Sequence, residues 1–195
     1  MTGATPVLVA MSGLPGSGKS ALAREIGRAI GGVVLAVDAV EAAMWRAGVG
    51  PDECVPTGIA AYAVVQSLAG ELLDAGHTVI ADAVNAVEPA RSAWRDLAGA
   101  HGVPLRWLEV TCTDPDLHRR RLAARGTRYE GFREPSWAEV RERQIDPWSD
   151  DRLLLDSVRP LPDLLASAQA YITDWQDPPP SGRLGQQNHE REHDG

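Results

Sequence analysis

Gly13-Leu14-Pro15-Gly16-Ser17-Gly18-Lys19-Ser20 is the stretch on which the reading of this chain turns. It is a complete G-x-x-x-x-G-K-[ST] pattern, the Walker A form of a phosphate-binding loop. Glycines in such a loop let successive backbone N–H groups point inward at phosphate oxygens. The positive end of the helix that follows adds to the attraction. Lys19 is the only lysine in the 195 residues; every other member of the 19 Lys+Arg is arginine. A slim ammonium fits along a polyphosphate inside a tight loop where a planar guanidinium does not.

The flanks agree with the loop. Val7-Leu8-Val9-Ala10-Met11 is a short apolar run that predicts a buried parallel strand. Leu22, Ile26 and Ile30 then recur at helical spacing. The loop therefore falls between strand and helix. Gly13, Pro15, Gly16, Ser17, Gly18, Lys19, Ser20 and Ala21 are the expected nucleotide contacts. Lys19 is expected at the terminal phosphates and the Ser20 hydroxyl at a magnesium ion. A shorter pattern competes: Gly16 to Ala21 also fits G-x-G-x-x-A, the dinucleotide fingerprint, with Asp38 at about the distance of a ribose carboxylate. The eight-residue match is the more specific of the two and is preferred.

The rest of the chain alternates strand and helix patterns. Strands are expected over 33–37, 78–81, 105–110 and 152–155. Helices are expected over 39–46, 57–75, 89–100, from Pro115 to about Arg125, from the capping box Ser136-Trp137-Ala138-Glu139, and over 161–175. Such alternation predicts an α/β fold, a parallel sheet of about five strands covered by helices on both faces. Residues 1–175 are read as one domain. The tail 176–195, with Pro178-Pro179-Pro180 and one large apolar residue, Leu184, is expected to be disordered. Its His189 and His193 are read as solvated. No apolar run approaches the ~20 residues of a membrane span. No secretion signal opens the chain, and Cys54 and Cys112 are far apart, so a cytoplasmic protein with reduced thiols is expected. A formal net charge of −8 disfavours general nucleic-acid binding.

Two acids stand at predicted strand ends, where open α/β sheets place their chemistry. Asp38 follows the second strand and is a candidate to take the proton of an attacking hydroxyl. The alternative is structural, since Asp38-Ala39-Val40-Glu41 also reads as a helix cap. Asp82 closes Thr78-Val79-Ile80-Ala81-Asp82, a Walker B-like segment whose acid orients magnesium. Ala83 stands where motor ATPases carry a water-activating glutamate. With a single lysine the chain also lacks the N-K-x-D that reads guanine. Arg119, Arg120, Arg121, Arg125, Arg128 and Arg133 form the one basic concentration. Arg121 and Arg125 share a helical face, and Gly126, Thr127 and Gly131 follow. A lid over about 121–148 is expected, with these two arginines closing on the phosphates.

These residues resemble the P-loop phosphotransferases with AAA-type ATP binding that include chloramphenicol phosphotransferase, zeta-toxin kinases and the kinase domain of phage polynucleotide kinase. The resemblance spans about residues 6–175 and is strongest over Gly13–Ser20. It implies ATP and Mg2+ as cofactors, Lys19, Asp38 and Arg125 as catalytic residues, Ser20 and Asp82 at the metal, and a helical lid. Asp38 matches the family's general base, and Arg121 to Gly126 are similar to lid arginines. Asp82-Ala83-Val84-Asn85 looks like the family's acidic turn, and Arg91 and Arg95 behind it are expected to face substrate or phosphate. The resulting expectation is a kinase for a hydroxyl on a small molecule of antibiotic, nucleoside or sugar type. A polynucleotide 5′-hydroxyl kinase and a nucleotide-hydrolysing or regulatory module are the alternatives. The acceptor pocket is expected between 42–62 and 127–148, with Trp45, Tyr62, Tyr129, Phe132, Trp137 and Trp148 near it.

Overall fold

The structure is a computed structural model that describes residues 5–50, 55–126, 129 and 133–174. Five parallel strands form one sheet in the order β2-β3-β1-β4-β5. They are β1 (Leu8–Ser12), β2 (Val33–Ala36), β3 (Val79–Asp82), β4 (Leu105–Thr111) and β5 (Leu153–Asp156). The helices are α1 (Lys19–Ile30), α2 (Val37–Arg46), α3 (Thr57–Asp74), α4 (Glu88–Ala100), α5 (Pro115–Ala124), α6 (Trp137–Glu142) and α7 (Leu161–Thr173).

The central strand is buried along its whole length, and its alternation divides the core into two layers. Leu8 and Ala10 point to the side holding Ala61, Val65 and Leu73 of α3 and Trp94 of α4. Val9 and Met11 point to the side holding Leu22 and Ile26 of α1 and Leu164, Ala168 and Ile172 of α7. Each fully buried side chain of this kind contributes about 1.5–3 kcal/mol. The continuous apolar run of β1 is thus explained by helices on both faces.

Strand order settles the rival reading of the glycine loop. A dinucleotide-binding sheet seats its second strand beside its first. Here β3 lies between β1 and β2, so the loop after β1 faces a strand-end acid on β3 instead. Register brings the ends level, with Met11 opposite Asp82 and Asp82 opposite Ala36.

Element boundaries hold to within a residue or two, and one shift matters. Val37, read as the end of a strand, opens α2 and packs into the core at 3% exposure. Ala36 is therefore the N-cap, with no side-chain cap. The capping alternative for Asp38 fails, because Asp38 lies inside the first helical turn. The capping box at Ser136 is formed, with both reciprocal bonds present. The expected tail 176–195, Trp175, Cys54, Thr127, Arg128, Gly131 and Phe132 lie outside the described residues.

Candidate active site

The loop between β1 and α1 is shaped by contacts that leave no room for side chains. Gly13 has φ +144°, and a Cβ there would sit 2.3 Å from the Val110 carbonyl oxygen. Gly18, at φ +96°, is the left-handed N-cap of α1 and offers no side-chain cap. Of the first-turn amides, that of Ala21 donates to the Gly18 carbonyl at 3.1 Å, and no side chain caps those of Lys19 and Ser20. The crest is held from outside: the His118 ring Nε2 lies 2.8 Å from the Pro15 carbonyl oxygen. His118 is buried and stacks edge-on against Trp137. Sequence reasoning passed over His118. Its only signal was its position four residues before Leu122 on the helix that packs on Gly16.

Lys19 is 3% exposed, and its ammonium stands 3.8 Å from Asp82 Oδ1. Asp82 Oδ1 and Ser17 Oγ are buried without a hydrogen-bond partner among the described residues. A cavity of about 440 Å³ along the loop is lined by Gly16, Gly18, Ser20, Ala21 and five cations: Lys19, Arg24, Arg121, Arg125 and Arg159. Arg24 and Arg159 were not singled out by sequence. Arg24 belongs to a helix read for its apolar stripe, and Arg159 follows the last strand with no motif to mark it.

The arginines of α5 divide by position. Arg119 and Arg120 are exposed. Arg121 donates through Nη1 to Ser157 Oγ at 2.7 Å and through Nη2 to the Ser157 carbonyl at 3.1 Å. Arg125 Nη2 donates to Asp38 Oδ2 at 3.1 Å, and its Nη1 lies 3.5 Å from Glu134 Oε2.

Arg125 also lines a second cavity of about 550 Å³ on the far side of the loop, together with Pro15, Asp38, Glu41, Trp45 and Tyr62. Pro15, expected among the nucleotide contacts, thus faces this second cavity and accepts from His118. Gly13 lines neither of these two cavities; with Ser17 and His118 it borders a smaller one of about 120 Å³, and it sets the loop's path against Val110.

The AAA domain family matches residues 8–149. The chain belongs to the AAA domain family. No curated protein matches it. Among solved structures, a protein of Chloroflexus aurantiacus j-10-fl aligns at 20% identity and TM-score 0.69, covering 86% of this chain and 99% of that one. The Mycobacterium tuberculosis APS kinase, in complex with AMPPNP and APS, aligns at 19% identity and TM-score 0.66 over 86% of this chain and 97% of that one. A gluconokinase of Sinorhizobium meliloti 1021 aligns at 18% identity and TM-score 0.60, over 86% and 92%. At these identities the likeness shows the fold, which is that of P-loop kinases.

Within this AAA domain the turn after β3 is built by Asn85, which carries φ +48° and is fully buried. Its Nδ2 donates to the Met11 carbonyl at 2.8 Å, its Oδ1 accepts from Trp94 Nε1, and its backbone N–H donates to the Tyr62 hydroxyl oxygen at 3.1 Å. Burial pushes the Tyr62 phenol up to about 12, and the Asp38 carboxylate adds to the rise. Tyr62 is therefore a neutral hydroxyl at the cavity wall.

The structure corrects Arg91 and Arg95. Arg91 is fully buried and donates to the carbonyls of Asn85, Ala86, Asp146 and Pro147, with its guanidinium 3.9 Å from the Trp148 ring centroid. It straps the loop before β5 onto α4 and lines neither of the two larger cavities. Arg95 pairs with Glu88 and Asp150. The family resemblance implied a ligand-facing role, but their partners lie in the chain segment 146–150 and on the turn before α4 and its first residue. Of the aromatics, Trp45 and Tyr62 line the second cavity, Trp148 packs against Trp107 and Trp137 against His118. No helix among the described residues is long and apolar enough to cross a membrane.

Proposed function

We propose that this protein is an ATP-dependent phosphotransferase that moves the γ-phosphate of ATP to a hydroxyl of a small molecule. The observation that carries the reading is the shared wall at Arg125. It joins a cation-lined cavity along the phosphate loop to a second cavity that holds a carboxylate, Asp38. A hydrolase needs no second cavity of about 550 Å³. The solved relatives that bear kinase names support the same reading through their fold.

In this reading ATP lies along Gly16 to Ser20, with its terminal phosphate between Lys19 and Arg125. Asp38 accepts the proton of the acceptor hydroxyl. The acceptor oxygen forms its bond to the γ-phosphorus as the bond from phosphorus to the β–γ bridging oxygen breaks, and ADP carries that electron pair away. The Lys19 ammonium, Arg125 and the uncapped amides of Lys19 and Ser20 hold the charge on the transferring group. Residues 121–148 serve as the lid, with Arg121 anchored to Ser157 as its fixed end.

Magnesium fits the residues present. A buried carboxylate oxygen on Asp82 without a hydrogen-bond donor, together with the Ser20 hydroxyl at the loop's end, is the hard oxygen set that this cation takes. When bound it would be held by Ser20 and Asp82, and it would neutralise phosphate charge.

The test is ADP release from ATP and magnesium with and without panels of sugars, nucleosides, antibiotics and oligonucleotide 5′-hydroxyls. Release that requires a small acceptor supports the reading. Equal release without acceptor makes the protein a hydrolase, and release only with oligonucleotides makes it a polynucleotide kinase. Lys19→Ala is the control, expected to lower release ~10²–10³-fold by removing one charge-stabilising donor.

A further inference from the structure

Glu41 has no capping duty once Ala36 is the N-cap of α2. It lies three residues after Asp38, so both carboxylates share a helical face, and both line the second cavity. Among the described residues no ion pair involves Glu41.

It is held by neutral donors instead. The Trp45 indole N–H donates to Thr57 Oγ1 at 2.8 Å, and the Thr57 hydroxyl donates to Glu41 Oε1 at 2.8 Å. Thr57 is 2% exposed, so water does not compete for this chain. A Cβ on Gly58 would lie 3.5 Å from Glu41 Oε1 and 3.8 Å from Oε2. The carboxylate thus rests over the first turn of α3, at the positive end of that helix. One oxygen is fixed by Thr57, and the remaining lone pairs are acceptors only.

The ligand that satisfies them must donate. The cavity also holds Arg125, Arg133 and Arg143 together with Glu134 and Glu139. Arg125 pairs with Asp38 and Glu134, and Arg133 with Glu139. The cavity's charges are therefore nearly balanced, and a net-charged ligand of either sign gains little. The two carboxylates of α2 oppose an anionic group at their own end. A neutral hydroxyl meets neither objection. Trp45 and Tyr62 offer amphipathic rings for a ligand that mixes C–H and O–H surface.

We propose that Glu41 is a specificity-determining residue. It accepts a hydrogen bond from a hydroxyl adjacent to the one that attacks phosphorus, and the acceptor is a neutral polyol of sugar or cyclitol type. Thr57 and Trp45 are positioning residues that act through Glu41. This rests on the phosphotransferase reading and names the substrate class within it.

The experiment measures acceptor-stimulated ADP release by the full chain with ATP and magnesium. The panel sets neutral hexoses and inositols against their monodeoxy analogues, amino-substituted analogues and simple mono-alcohols. A polyol is expected to be preferred over its deoxy partner. Glu41→Gln is expected to raise KM for the polyol about 10–100-fold, the worth of one hydrogen bond to a charged group, and to move kcat less. It should also level the polyol with the deoxy analogue. Thr57→Val is expected to raise KM in the same direction, and Thr57→Ser, which keeps the hydroxyl, to restore it. A Glu41→Gln enzyme with unchanged KM and unchanged discrimination overturns the assignment while leaving the phosphotransferase standing. So does preference for amino analogues or mono-alcohols. Absence of any acceptor-stimulated release by the unaltered chain, across this panel and nucleosides, overturns the phosphotransferase reading and the polyol with it.

Discussion

Arg125 and Asp38 form an ion pair across the ridge between two cavities, Nη2 to Oδ2 at 3.1 Å, with 13% and 23% of the side chains exposed. The pair fastens the end of α5 to the first turn of α2. Glu134 stands on the other side of the guanidinium, 3.5 Å from Nη1. Arg125 therefore keeps a counter-ion if Asp38 turns to a substrate hydroxyl.

Asp38→Asn is expected to lower phosphate transfer by ~10²–10⁴-fold, the range for loss of a positioned base. Nucleotide affinity should hold, because Asp38 lines the acceptor-side cavity and not the loop-side one. The fold should hold too, since Ala36 rather than Asp38 caps α2. Single-turnover transfer alongside nucleotide titration checks this. Full transfer by the variant would reduce Asp38 to a partner for Arg125.

Arg125→Ala is expected to lower kcat by ~10²–10³-fold, as for removal of one charge-stabilising donor. Nucleotide Kd should change far less, because the contact to the transferring group is made mainly in the transition state. Comparing kcat with Kd for a non-hydrolysable ATP analogue separates the two effects. A loss confined to Kd would make Arg125 a ground-state binding residue.

Arg91→Met is expected to destabilise the protein by about 3 kcal/mol or more while leaving KM values near those of the unaltered chain. The substitution strips the donors from four carbonyls and removes the guanidinium from the face of Trp148. Urea unfolding gives the stability, and kinetics at low temperature give KM. A stable variant with a raised KM would return Arg91 to the substrate.

The capping box of α6 sets an acid limit. The Ser136 backbone N–H bonded to Glu139, followed by the Ser136 side chain and Arg133, lowers the Glu139 carboxyl from 4.5 to about 2. A carboxyl lowered on folding stabilises the folded state above its unfolded value and loses that contribution as it protonates. The stability difference between the unaltered protein and Glu139→Gln is therefore expected to be full above pH 4.5. It should fade as pH falls toward about 2. Acid unfolding of the two proteins side by side measures it. A difference that does not change across this window would show that the charged form of Glu139 is not favoured by the cap.

Much of the site was legible because its signals are local. A strand, a glycine loop and a helix follow one another in Leu8 to Ile30, so the placement of Lys19 and Ser20 needs no long-range contact. Asp82 was legible because an acid after an apolar run marks a strand end. His118, Asn85 and Glu41 were not legible. Their roles depend on Pro15, Met11 and Thr57, which lie 103, 74 and 16 residues away in the chain. Arg91 misled for the same reason, because its four carbonyls belong to two turns that helical spacing says nothing about.

The sequence by itself determined the α/β class, the phosphate loop and its lysine, and the acid Asp82 at the end of β3. Hydrophobic period, turn glycines and a motif of fixed spacing all act over a few residues. Only the tertiary structure decided the order β2-β3-β1-β4-β5, which rules out the dinucleotide reading and sets Asp82 rather than a β2 residue beside Lys19. It alone paired Arg125 with Asp38 and joined Trp45, Thr57 and Glu41 into one chain. Strand neighbours and buried polar partners are chosen by which faces can be covered and which donors can be satisfied at once. That is a condition on the whole fold and leaves no periodic trace in the chain.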